Sequence, residues 1–312
     1  MDTKITIFTT TLNRAYCLPE LYRSLCRQTV KDFEWLIIND GSDDNTDELI
    51  KGWILEKKLK KIVYVKNETN GGIASAMNQA FDIAKGELFF KVDSDDYLKD
   101  NAIELILKYE ATIENKDYFA GVAGYRCYNN NQVIGNGWKH ARDYVDATNF
   151  ERKRNGLEGD KAEVYYLEVL KQYGPFPHVN NEKYAFEGML WNRIANAGLR
   201  LRWFKEAIYV TEYRDDGESI NWFKVNRRNF KAYSIYVSEY ASYASISLYN
   251  RFVETARYYA IAHSLKLRKK EIPQEFKYKS WWLNIAYCIG YCLHLYRLLF
   301  KKSLYKNIKK EL

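Results

Sequence analysis

Through its first 100 or so residues the chain alternates short β-branched or aromatic runs with stretches of helical periodicity, and few folds accommodate that alternation. Ile5 to Thr9, Glu34 to Asn39, Ile62 to Lys66 and Phe89 to Val92 read as strands. Between them, Leu18, Leu21, Tyr22 and Leu25 recur at helical spacing around Pro19, Thr46 opens a second helix, and a third runs from about Ile73 to Ala84. Successive βαβ units predict an α/β protein built on a parallel, doubly wound sheet. In such a sheet, ligands gather beyond the carboxyl ends of the strands.

Those strand ends carry the chemistry. Thr10 to Arg14 follows the first strand, Asp40-Gly41-Ser42-Asp43-Asp44 the second, and Asp93-Ser94-Asp95-Asp96 the fourth. Two aspartates one residue apart can aim oxygens at one hard divalent cation, and such a cation can neutralise a departing diphosphate. An ordinary turn also explains a single acidic cluster, with Asp96 or Asp100 capping a helix that starts near Asn101. It does not call for acids at two strand ends that line one crevice. Asn70-Gly71-Gly72 precedes the third helix, where its backbone N–H groups could meet an anion or a ribose hydroxyl, although a simple loop uses the same residues. No G-x-G-x-x-G follows a strand and no G-x-x-x-x-G-K-[ST] occurs, so neither a dinucleotide fold nor a P-loop is supported.

The charge of the chain is unevenly placed. Of a net +8, residues 217–312 account for +12, with 18 Lys and Arg against 6 Asp and Glu. A slightly acidic body joined to a basic, aromatic C-terminal third suggests attachment to an anionic surface, lipid or nucleic acid. No nucleic-acid-binding motif accompanies the basic residues, and no nucleic-acid partner is expected. Cys17, Cys26, Cys127, Cys288 and Cys292 form neither a disulfide framework nor a metal pattern, which fits a reducing compartment. Met1-Asp2-Thr3-Lys4 runs into a strand without the apolar core of a signal peptide, so a cytoplasmic or cytoplasm-facing protein is expected.

Farther along, Tyr118 to Tyr128 and Gln132 to Trp138 read as strands and Asp143 to Gly159 as a polar loop. Glu187 stands just before a helix that ends near Gly198, where an acid complements the helix dipole. From Asn221 to Leu267 the pattern is helical, with Tyr233, Tyr236, Tyr240, Tyr243 and Tyr249 at regular spacing. Trp281 to Phe300 is mostly apolar and matches a span of about 20 residues, yet Asn284, His294 and Arg297 lower its tendency to insert. With Trp281-Trp282 at one end and Lys301, Lys302, Lys306, Lys309 and Lys310 beyond the other, it suits a helix lying in a membrane interface. A C-terminal helix packed within the protein or a dimer is the alternative.

Taken in order, Thr9-Thr10-Thr11-Leu12-Asn13-Arg14, Asn39-Asp40-Gly41-Ser42-Asp43-Asp44-Asn45-Thr46, Asn70-Gly71-Gly72 with Asn78, and Asp93-Ser94-Asp95-Asp96 resemble the motifs of family 2 glycosyltransferases with the GT-A fold. The resemblance implies a Rossmann-like, mixed and mostly parallel sheet flanked by helices, with a catalytic domain at 1–216 and a C-terminal helical extension at 217–312. It implies that Asp40 reads the base of a nucleotide sugar, usually uracil, with Thr10, Asn13 and Arg14 near the nucleotide. Gly71, Asn78 and Ser94 join the donor-binding set, Asp93 contacts ribose, and Asp95 holds Mn²⁺ or Mg²⁺ against the diphosphate. Family members carry an acid in the segment before the later helix, commonly as Glu-Asp. Here Glu187 takes that place, ahead of Glu182, as the base that accepts the acceptor hydroxyl's proton. Tyr213 to Ser219 resembles a Tyr-Arg-x-x-Gly-x-Ser segment of bacterial polysaccharide glycosyltransferases, in which Arg214 would approach the diphosphate. The Q-x-x-R-W pattern of processive synthases does not occur, which implies one sugar per event. The expectation is an inverting, metal-dependent enzyme that moves a sugar from a UDP-type donor to a glycan, lipid-linked at the inner face of the membrane. A nucleotidyltransferase on a similar sheet and a non-catalytic membrane scaffold are the alternatives.

Overall fold

The computed structural model describes residues 3–184, 186–211, 222–272 and 280–299. The chain divides into two compact units, Met1–Phe176 with Arg193–Tyr213, and Pro177–Asn192 with Arg214–Leu312. Pro177–Asn192 thus groups with the C-terminal helices.

The first unit runs β1 (Ile5–Thr11), α1 (Leu18–Arg27), β2 (Phe33–Asn39), α2 (Thr46–Glu56), β3 (Ile62–Lys66), α3 (Ile73–Ile83), β4 (Leu88–Lys91), β5 (Tyr97–Leu98) and α4 (Ala102–Glu110). It continues through β6 (Phe119–Cys127), β7 (Tyr144–Ala147), β8 (Lys161–Tyr166) and α5 (Leu167–Tyr173). After α6 (Glu187–Asn196), which begins in the second unit, β9 (Arg200–Val210) returns to the sheet. The strand order is β3-β2-β1-β4-β8-β6-β9-β5, with β7 also paired to β9. The expected βαβ units make β3, β2, β1 and β4 parallel. β8 then runs antiparallel to both β4 and β6, while β6 and β9 are parallel, so the sheet is mixed and α/β in class.

Every residue of β2 is buried, which explains the apolar run from Trp35 to Ile38, because a parallel strand covered on both faces has no solvent side to alternate with. Trp35 anchors that layering. Its ring stacks on Trp53 of α2 at 5.7 Å and Tyr22 of α1 at 6.2 Å, and its indole N–H donates to Thr9 Oγ1 at 3.1 Å.

Two sequence expectations fail between β6 and β8. Gln132 to Trp138 forms a single bridge, Val133 to Cys127, because the chain turns back at once through Tyr128 N–H to Gln132 O and a left-handed Asn131. Asp143 to Gly159 is not wholly loop. It contains β7, which gains its strand character from pairing with β9, and Arg202 of β9 grips Asp146 with two bonds of 2.8 Å.

The second unit is helical: α7 (Trp222–Arg228), α8 (Phe230–Ser242), α9 (Leu248–Ser264) and α10 (Ser280–Leu299). Its core includes Phe230, Tyr233, Val237, Tyr258, Tyr259 and Ile261. Tyrosine serves here as a large apolar ring whose hydroxyl still finds a partner, Tyr233 donating to Glu254 at 2.7 Å and Tyr258 meeting Ser234 at 3.0 Å. α9 and α10 approach closely at Gly290, where a Cβ would lie 2.6 Å from that of Tyr259. Among the described residues, no helix is long and apolar enough to cross a membrane.

Candidate active site

Because β1, β2, β3 and β4 are parallel, their carboxyl ends open onto one edge. The ladder extends one residue past the strands, through Asp40 N–H to Thr11 O and Val92 N–H to Phe8 O, and delivers Asp40 and Asp93 there together. The turn after β1 bridges its neighbours on both sides. Asn13, in a left-handed conformation, donates its N–H to Ser42 Oγ and accepts from Asp43 N–H, both at 2.9 Å. Arg14 reaches the other way, to Asp95 Oδ2 at 3.4 Å and to the Tyr16 hydroxyl at 2.8 Å. Thr10 sits half-buried in β1, opposite Ile38.

Asp40 is nearly fully buried and heavily engaged. Its Oδ1 accepts from Asn67 Nδ2 and Gly71 N–H, and its Oδ2 from Gly72 N–H at 2.8 Å. The Gly71 and Gly72 amides are thus donated to Asp40 within the turn. Gly72 can do this because its φ of +86° turns the amide inward, a conformation that side chains disfavour. Carboxylate oxygens offer about four acceptor sites between them, so three donors leave Asp40 room for one more.

Asp93, Ser94, Asp95 and Asp96 separate into two environments. Asp95 keeps its side chain 25% exposed beside Arg14. Asp93, its side chain 32% exposed, and the buried Asp96 share a second network with Lys91, Arg126 and Tyr209, drawn from β4, β6 and β9. The Tyr209 hydroxyl accepts from Asp93 N–H at 2.9 Å and donates to Asp96 Oδ2 at 2.8 Å, while the Arg126 guanidinium lies 4.0 Å from the centre of the Tyr209 ring. Burial raises the Asp93 carboxyl, but the Lys91 and Arg126 charges outweigh it and hold the group well below the usual range. Burial, joined by the Asp93 charge, pushes Asp96 upward. Ser94 is buried within the turn.

Asn78, in α3, spends its whole amide on the Phe176 backbone, accepting from its N–H and donating to its C=O at 2.9 Å each. Its observed partner is therefore main chain. Glu187 opens α6, in the second unit, and is half-buried. Glu182 is taken, since its two oxygens accept from Lys231 N–H at 2.9 Å and Ala232 N–H at 2.7 Å in the first turn of α8. Arg214, with its segment Tyr213 to Ser219, lies outside the described residues.

Sequence reasoning missed Lys91, Arg126 and Tyr209. Arg126 had a legible signal, because an arginine inside the apolar run of β6, largely withdrawn from solvent, needs an acidic partner.

No three His, Cys, Asp or Glu side chains gather as a metal cage among the described residues. A partly exposed carboxylate such as Asp95 is still a suitable donor for Mg²⁺ or Mn²⁺, ions that bind through one or two carboxylates with phosphate oxygens and water completing the shell.

The family model Glycosyl transferase family 2 matches residues 6–172, more than half of the chain, and the chain belongs to that family. Among curated proteins it is similar to glycosyltransferase GlyG of Streptococcus pneumoniae, 29% identical over 136 residues, covering 44% of this chain and 43% of that one. It is also similar to the chondroitin synthase of Pasteurella multocida, 41% identical over 104 residues, 33% of this chain and 10% of the synthase. The chain thus spans less than half the length of these relatives. Among solved structures it resembles S. aureus TarS 1-349 in complex with UDP-GlcNAc, with a TM-score of 0.62, 20% identity, and coverage of 87% and 78%. It also resembles the mannosyltransferase PcManGT of Pyrobaculum calidifontis in complex with GDP-Man and Mn²⁺, with a TM-score of 0.57, 14% identity, and coverage of 100% and 84%. These likenesses agree with the mixed, mostly parallel GT-A architecture.

Proposed function

We propose that the chain is an inverting glycosyltransferase that moves one sugar from a UDP-type donor to a glycan acceptor, in the assembly of a cell-surface polysaccharide or glycoconjugate. The acceptor is lipid-linked and met at the inner face of the membrane, with the C-terminal region making peripheral contact. The reading rests on Asp40, Arg14 and Asp95 being carried to one sheet edge by parallel strands. Support comes from the family and from the nucleotide sugars bound in the TarS and PcManGT structures.

Asp40 accepts from the nucleobase at its remaining site, with Thr10, Asn13, Gly71, Asn78 and Ser94 shaping the donor pocket. Asp93 turns to the ribose and Arg214 to the diphosphate. Bound Mn²⁺ or Mg²⁺, held by Asp95, would supply charge neutralisation to the leaving diphosphate. Arg14, paired with Asp95, adds a fixed positive charge beside that carboxylate. Glu187 accepts the acceptor hydroxyl's proton as the sugar is attacked from the side opposite the leaving group.

The test is incubation with UDP-sugars, Mn²⁺ and a lipid-linked glycan, following UDP release and the anomeric configuration of the product. UDP release with inversion is expected, and Asp95→Ala should reduce it by about 10²-fold or more while leaving circular dichroism unchanged. Undiminished turnover in Asp95→Ala would remove the metal role of that residue, and pyrophosphate as the product would mean nucleotidyl transfer instead.

A further inference from the structure

α10 is apolar on the wrong side for a helix covered only by its neighbours. Six residues, Leu283, Ala286, Tyr287, Gly290, His294 and Arg297, face inward at a helical spacing of three or four, the two polar ones included. The outer arc carries Trp281 at 58% exposure, Ile285 at 46%, Ile289 at 39%, Leu293 at 43%, Tyr296 at 46% and Leu298 at 52%. At 3.6 residues per turn this arc covers roughly half of the circumference. Among its described residues none is charged, and its amide, Asn284, is bound by Lys269. A helix that half-buries an arginine while exposing leucines calls for a second apolar cover.

We infer that the outer arc of α10 lies in the plane of an anionic lipid bilayer, with its apolar side chains at the level of the acyl boundary. Charge selects this occupant over a second copy of the chain. Lys269 stands against the amino-terminal half of α10, touching Asn284 and lying 5.9 Å from the Tyr287 ring, and exposed Lys266, Arg268 and Lys270 flank it in sequence. The sequence past α10 adds Lys301 and Lys302, so both ends of the apolar stretch are cationic. Two copies apposed through this face would set positive ends against positive ends in either orientation. Anionic headgroups neutralise them, each nearby Lys or Arg adding to the attraction. Trp281, Tyr291 and Tyr296 supply the amphipathic rings suited to the headgroup level. The helix lies in the interface, since none described here is long and apolar enough to cross.

The inference extends the membrane contact in the proposed function and rests on that part alone; binding of UDP with Mn²⁺, titrated separately, reports on the transferase reading. Two native cysteines make the test direct. Cys288 and Cys292 lie exposed on the outer arc, whereas Cys17 and Cys127 are buried. With Cys26→Ser removing the half-buried thiol, the full chain is labelled at Cys288 and Cys292 with a polarity-sensitive fluorophore and floated with vesicles. Vesicles of equal parts phosphatidylglycerol and phosphatidylcholine should carry the protein and shift the fluorophore to the blue, while phosphatidylcholine alone should carry about tenfold less. In unlabelled protein, Ile285→Asp with Ile289→Asp should abolish flotation and leave UDP binding unchanged. Flotation that survives this pair, or a monomer or dimer that binds neither vesicle, overturns the proposal; the dimer result assigns the face to a second copy.

Discussion

Glu182 and Glu187 show how position along a chain differs from role. The two oxygens of Glu182 close the first turn of α8 on the Lys231 and Ala232 amides, and removing such a cap costs about 1 kcal/mol. Glu182→Ala is therefore expected to lower stability by about that amount in urea unfolding and leave transfer in place. Glu187→Gln should bind donor normally and lose about 10²-fold or more in turnover. The reverse pattern would hand the base role to Glu182. Tyr209 is tested differently, because its hydroxyl serves both Asp93 N–H and the Asp96 carboxylate. Tyr209→Phe strands a buried donor and should cost about 1–3 kcal/mol in urea, with weaker UDP binding in the presence of Mn²⁺. Wild-type values for both would mean that the hydroxyl does not hold the turn. At this scale the sequence exposed the acids, since carboxylates at strand tips are visible by inspection. It did not expose that Asp40 binds Gly71 and Gly72, or that Asn78 binds Phe176, because those partners lie 31 and 98 residues away.

Among the elements, α2 and β3 are tied by Asp47, whose carboxylate receives Lys66 at 2.7 Å, Lys51 at 2.9 Å and the Tyr64 hydroxyl at 2.8 Å. Hydrogen bonds from Lys66, Lys51 and Tyr64 pull this acid far below its ordinary value. The folded state thus prefers the ionised form more than the unfolded chain does. The resulting stabilisation is present above the unfolded value near 4 and is lost as pH falls below it. Urea unfolding of wild type and Asp47→Asn should differ most at pH 7, and the gap should narrow progressively as pH falls below 4 toward the much lower folded value; a gap independent of pH would refute the linkage. The helices and parallel strands of the first 100 residues were legible because their periodicity is local. β7 was not, since its four residues become a strand only against β9.

Over the whole molecule, the sequence located the basic C-terminal third and the acidic remainder, and composition needs no coordinates. It also placed a run of tyrosines from Asn221 to Leu267 in helices, where the structure turns Tyr233, Tyr258 and Tyr259 into core. The order of strands and helices, the acids at the strand tips and the apolar twenty-residue stretch followed from the sequence alone, because helical and strand periods and turn residues express themselves over a few positions. Tertiary structure alone decided that β8 inserts antiparallel between β4 and β6, that Arg126 and Tyr209 meet Asp93 and Asp96, and which arc of α10 stays uncovered. Each of these outcomes depends on segments distant in sequence closing on one another, and no local pattern specifies which distant surface will arrive.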